Sequence, residues 1–175
     1  SGSGTIPGNS SSDIVVNSTT GLTGGLRFTP GFSTINSLTV NTASGSNVML
    51  GTDMTTNGMI TLTNGELRLN GRTLTIAPTG NISAAGSGSI TGSSTSGLVV
   101  NSASGLAGNI RFTPGSNMLG NLTINTGSGT SAAINDDLTI HGTLTLGNGS
   151  LDLNGRDLTL AATSSLSNTG TGNIW

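Results

Sequence analysis

Asp136, Asp137, Asp152 and Asp157 form the densest acidic group of the chain. On a coil of about 21 residues, Asp136 and Asp157 would lie on adjacent coils. Two stacked carboxylates could hold Ca²⁺ together with backbone carbonyls, or work as a catalytic pair. The corresponding positions of an earlier repeat copy carry Thr52, Asp53, Arg68 and Thr73, so only Asp53 keeps the charge. A repeating Gly-rich calcium nonapeptide is absent. Calcium at the four aspartates stays an open alternative, and no catalytic, cofactor-binding or metal-binding residue is assigned. His141 is the only histidine, and its counterpart is Asn57. A lone imidazole lacks the partners that a metal site or a general base requires. The expectation for His141 is a solvent-facing turn.

Other chemistry is thinner still. A nucleophilic serine needs a base and an orienting acid, and one histidine in no visible motif does not supply them. Gly86-Ser87-Gly88 fails as a phosphate loop, because neither Lys-Ser/Thr nor a helix follows. Arg27 and Arg111 repeat at an 84-residue distance, as do Arg72 and Arg156. Their expected role is structural, capping a turn or bonding between coils, with contact to a sugar or partner as the alternative. Phe28 and Phe112 are expected to plug the interior where it widens.

The elements that would position these residues follow from the repeat. Val15-Val16-Asn17-Ser18 recurs as Val99-Val100-Asn101-Ser102, and Arg27-Phe28-Thr29-Pro30-Gly31 as Arg111-Phe112-Thr113-Pro114-Gly115. Leu69-Asn70-Gly71-Arg72 recurs as Leu153-Asn154-Gly155-Arg156. A fixed period of this kind marks a repeat architecture. Within it, Leu144-Thr145-Leu146, Leu151-Asp152-Leu153 and Leu158-Thr159-Leu160 follow one another at intervals of seven. Each triplet alternates apolar, polar, apolar, as a half-buried strand does. Asn-Gly dipeptides between them mark tight turns. An antiparallel hairpin is the rival local reading.

Sides of seven give coils of about 21 residues, and four such coils make 84. The expected fold is all-β: a right-handed parallel β-helix forming one continuous solenoid over residues 1–175. Its two copies, 8–91 and 92–175, would have roughly four coils each, so about eight coils and roughly 40 Å of length at the usual strand spacing. No helical apolar period is present. Asn at the turns is expected to form ladders.

Composition narrows the function. Of 175 residues, 29 are glycine, 7% are charged and 2% aromatic. The net charge is −2 and the five basic residues are scattered, so a basic patch for nucleic acid is missing. No apolar run reaches the roughly 18 residues of a membrane span. Cysteine is absent, which excludes disulfides and thiolate sites from this stretch.

Leu38-Thr39-Val40-Asn41-Thr42, the run Asn57 to Ile76, Gly142-Thr143-Leu144-Thr145-Leu146 and Ser150 to Gly155 carry a resemblance. The chain resembles the β-helix repeats of very large Bacteroidetes surface proteins, which typically end in a sorting domain for type IX secretion. That resemblance implies a secreted or surface-anchored segment of an adhesin or fibre. Beginning and ending in mid-repeat, the chain reads as a fragment of a longer protein.

The leading expectation is a non-catalytic shaft at the cell surface that needs no cofactor. Its partners would be further repeats of the same chain, other copies in an oligomer or filament, and a surface glycan or a host or prey cell. A second expectation is a binding face for ice or glycan, because outward Thr61, Thr75, Thr145 and Thr159 suggest an array that Arg68 and Asp152 interrupt. A carbohydrate-active β-helix enzyme ranks last, since sugar platforms need aromatic residues. The alternation also predicts Leu144, Leu146, Leu151, Leu153, Leu158 and Leu160 inside, with Leu153→Ala costing about 2–5 kcal/mol.

Overall fold

Alternating triplets stack only if each strand finds a neighbour one coil away, and they do. The computed structural model describes residues 4–175. All strand pairings among them are parallel. The described residues form an all-β parallel solenoid of about seven turns with about 22 residues per turn, and no helix is present among them. At a strand spacing of about 4.8 Å the stack is roughly 34 Å long, shorter than eight coils would be.

The antiparallel alternative fails at the Asn-Gly corners. Asn70 and Gly71 both have positive φ, 56° and 72°, and Asn154 and Gly155 repeat this at 51° and 73°. Arg72 N–H closes the turn on Leu69 O at 3.0 Å, and Arg156 N–H closes its copy on Leu153 O at 2.9 Å. This is the backbone that closes hairpins. Here it makes a corner instead, because Leu67 pairs with Val48 and Ile90 on the neighbouring coils.

Inward residues stack as aliphatic columns. One runs Met54, Leu74, Leu98, Leu122, Leu144, each at most 1% exposed. Phe28 and Phe112 fill the interior as expected, above Ile6 and Ile90. Of the six predicted leucines, Leu144, Leu146 and Leu151 are buried, and Leu153 and Leu158 are partly buried against the core. Leu160 is corrected: it pairs with buried Ile140 but is 41% exposed, since no coil covers it. Asn41 donates to Asn17 at 3.0 Å and Asn148 to Asn125 at 3.3 Å, which are short ladders of the expected kind.

The coil length departs from a constant value. Successive pairings along one row join Thr34, Thr55, Thr75, Val99 and Thr123. Thr123 therefore lies four coils above Thr34, although its counterpart in the first copy is Thr39. Leu98, Leu122, Leu144 and Leu166 are the counterparts of Ile14, Leu38, Ile60 and Ile82. They stack on Leu74, whereas Ile82 belongs to a separate sheet with Ile14, Leu38 and Ile60. One repeat thus falls short of four coils by about one side.

One interior position is mismatched. Thr56 is fully buried between Ile35 and Ile76, and its hydroxyl has no partner. Its counterpart Ile140 is apolar and equally buried. Thr56→Val keeps the shape and removes the stranded hydroxyl. It is expected to raise the unfolding free energy by about 1 kcal/mol in a urea melt. A loss of stability would mean that the hydroxyl is satisfied after all.

Candidate functional site

The aspartates come closest to a site, and the fold separates their tasks. Asp136 Oδ2 accepts the N–H of Phe112 at 2.8 Å, one coil below. Thr52 Oγ1 accepts the N–H of Phe28 at 2.9 Å in the first copy. Asp137 Oδ1 accepts the N–H of Asp157 at 3.0 Å, and Asp53 Oδ1 that of Thr73 at 2.8 Å. Threonine and aspartate are interchangeable here because the corner asks for an oxygen acceptor, not a charge. Asp152 Oδ1 accepts its own turn amide at Asn154, 2.8 Å away.

The stacking expected of Asp136 and Asp157 belongs to Asp137 and Asp157, since Leu138 pairs with Leu158. No group of three or more potential metal ligands is present among the described residues. Asp13, outside this group, accepts from Ser37 Oγ at 2.5 Å and from Asn36 Nδ2 at 2.8 Å. The Ser37 bond foremost, and then Asn36, holds its carboxyl below the usual range.

His141 sits half-buried beside Gly142 at a corner where one sheet forks. The strand Met118–Ile124 pairs at its start with Leu138–Ile140 and at its end with Thr143–Leu146. Asn57 and Gly58 occupy the same corner in the first copy, after Met54–Thr56 and before Met59–Asn64. Gly142 N–H bonds Gly120 O, and Gly58 N–H bonds Asn36 O, both at 2.6 Å. The chain passes so close that a side chain at either glycine would meet that carbonyl.

Arg111 Nε donates to Gly88 O across coils at 3.3 Å, the structural role expected. Arg72 and Arg156 are exposed at their Asn-Gly turns. Glu66 accepts the Thr91 hydroxyl at 2.9 Å and lies 3.9 Å from Arg68.

The expected threonine array is rearranged. Thr61 lies on a different sheet, beside Thr39. Thr159 pairs with Thr139 on one arm of the fork. Thr75 and Thr145 do share a row, and its remaining members are not visible at constant spacing. The row runs Thr34, Thr55, Thr75, Val99, Thr123, Thr145, Ser167, through all its coils without a break. Its steps are unequal, shortest from Thr55 to Thr75 and longest from Thr75 to Val99 and on to Thr123, which hides it from any fixed period. Beside it runs a second row, Thr73, Gly97, Asn121, with Thr143 and Ser165 paired above. Arg68 and Asp152, which were expected to interrupt the array, lie on other sheets.

Scans against protein-family models, curated proteins and solved structures return no match, so the functional reading rests on this geometry.

Proposed function

We propose that the chain is a stiff segment of a structural shaft in a secreted or cell-surface fibre or adhesin, and that it is non-catalytic. The observation that carries this is the continuity of the pairing. Parallel ladders link each coil to the next from Ile6 to Ile174, over a dry aliphatic interior. Pulling such a stack apart breaks several backbone bonds per coil together, so it resists extension. The acidic residues support the same reading, because Asp136, Asp137 and Asp152 each accept a corner or turn amide. The coil is taken as right-handed, by the general rule for parallel crossovers. The resemblance to Bacteroidetes surface repeats supports export by type IX secretion.

The likeness between the copies suggests partners too. Further repeats, or other copies of the chain, would pair with the open strand edges at the ends, where Leu166 and Ile174 are exposed. A glycan or a host or prey cell would be met elsewhere on the assembly. Force spectroscopy on the chain held by its two termini tests the shaft. The expected result is stepwise unravelling of coils at high force, with concentration-dependent association in sedimentation. Collapse at low force would overturn it. So would hydrolysis of a polysaccharide that disappears on changing His141 or Asp137.

A further inference from the structure

We propose that the threonine-rich side of the long sheet binds an ordered lattice of water, the surface of ice. This goes beyond the shaft reading and stands or falls separately from it. The row Thr34, Thr55, Thr75, Val99, Thr123, Thr145, Ser167 repeats at the strand spacing, about 4.8 Å. Thr73 and Thr143 stand two residues along the strand from Thr75 and Thr145, roughly 6.6 Å away. Oxygen rows on the prism faces of hexagonal ice repeat at spacings close to both. A rigid ladder presents such a grid already ordered, so little conformational entropy is lost on contact.

Three features favour this side. The hydroxyls of its main row make no bond to the protein and are free to meet water, unlike those of the buried Thr42, Thr91, Ser102 and Thr126, which all bond internally. The main row carries no charge, and charged groups hold liquid hydration that a lattice must displace. The main row continues in register through seven coils, with the one register shift of its sheet lying before Gly97, whereas Val15, Thr39 and Thr61 on the other sheet pair over only three. Val99 matches threonine in shape and lacks only the hydroxyl, so it interrupts the oxygen row without disturbing the surface.

Thermal hysteresis and ice-recrystallisation inhibition of the intact chain test the proposal. Faceted crystal growth and a measurable freezing-point gap are expected. The double variant Thr75→Arg, Thr123→Arg should reduce the gap at least tenfold. Thr39→Arg, Thr61→Arg on the other sheet should leave it within a factor of two, and Val99→Thr should increase it. Circular dichroism melts of each variant confirm that the coil is intact. An inactive wild-type chain sinks the proposal, as does equal loss from the two double variants. Retention on crystalline cellulose with no effect on ice would assign the face to a polysaccharide instead, and also overturn it. A chain that is inactive on ice yet unravels at high force loses only this inference.

Discussion

Leu69→Ala is expected to cost about 2–5 kcal/mol of unfolding free energy, and Leu153→Ala distinctly less. The two residues hold the same place in the two copies, each just before an Asn-Gly turn. Sequence alone makes them equivalent. Their surroundings do not. Leu69 is fully buried, and its N–H bonds Thr91 O at 3.0 Å on the coil above. Leu153 is only partly buried, and only the terminal Trp175 O, at 2.8 Å, bonds its N–H from above.

Removing three carbons from Leu69 leaves a cavity walled on all sides, whereas at Leu153 water and neighbouring side chains can move in. The full cost expected at Leu153 from alternation therefore belongs to Leu69. Asp152→Ser, one position outward, should stay within about 0.5 kcal/mol, because serine can also accept the turn amide that Asp152 accepts from Asn154. Parallel denaturant melts of the three variants decide this. Equal losses at Leu69 and Leu153 would show that coverage by the next coil does not set the cost.

That contrast also marks what the sequence disclosed. Direction was legible: Leu144 and Leu146 point inward and Thr145 outward because a strand alternates. Depth was not, because burial depends on the coil above, which no triplet contains. The class of fold was legible from stacked triplets and Asn-Gly corners. The layout was not, because coil length changes by a few residues from one turn to the next. A small error in each coil accumulates to about one side over a whole repeat, enough to place Leu98 above Leu74 instead of on the sheet of Ile82. The array suffered from the same cause. Thr123 becomes a neighbour of Val99 only when the longer step between them is known. The aspartates mislead for another reason. Comparing the copies by charge overlooks that the corner selects for an acceptor, which Thr52 supplies as well as Asp136.

Gly149→Ala should be among the most damaging single substitutions, at roughly 3–5 kcal/mol. Two penalties coincide there. Gly149 has φ of +70°, a conformation that costs an L-residue about 1 kcal/mol or more. A Cβ at this position would also collide with Thr126 Oγ1 and lie 2.8 Å from Thr130 O. Thr126 cannot swing away easily, since it is 3% exposed and its hydroxyl donates to Thr130 O at 3.2 Å. The first copy repeats the arrangement with Gly65, Thr42 and Ser46, so Gly65→Ala should behave alike.

Gly155 provides the control. Its φ is +73°, but a Cβ there would meet nothing within 4 Å. Gly155→Ala should therefore show the backbone penalty alone. Adding Thr126→Ala to Gly149→Ala removes the collision and should restore part of the loss, a coupling that a double-mutant cycle measures directly. Equal destabilisation by Gly149→Ala and Gly155→Ala, with no coupling to Thr126, would mean that φ alone decides. The expected inequality instead ties the glycines of Asn-Gly and Gly-Asn-Gly corners to two different tasks: some let the chain turn, and Gly65 and Gly149 also let one coil lie close against a buried threonine of the coil beneath.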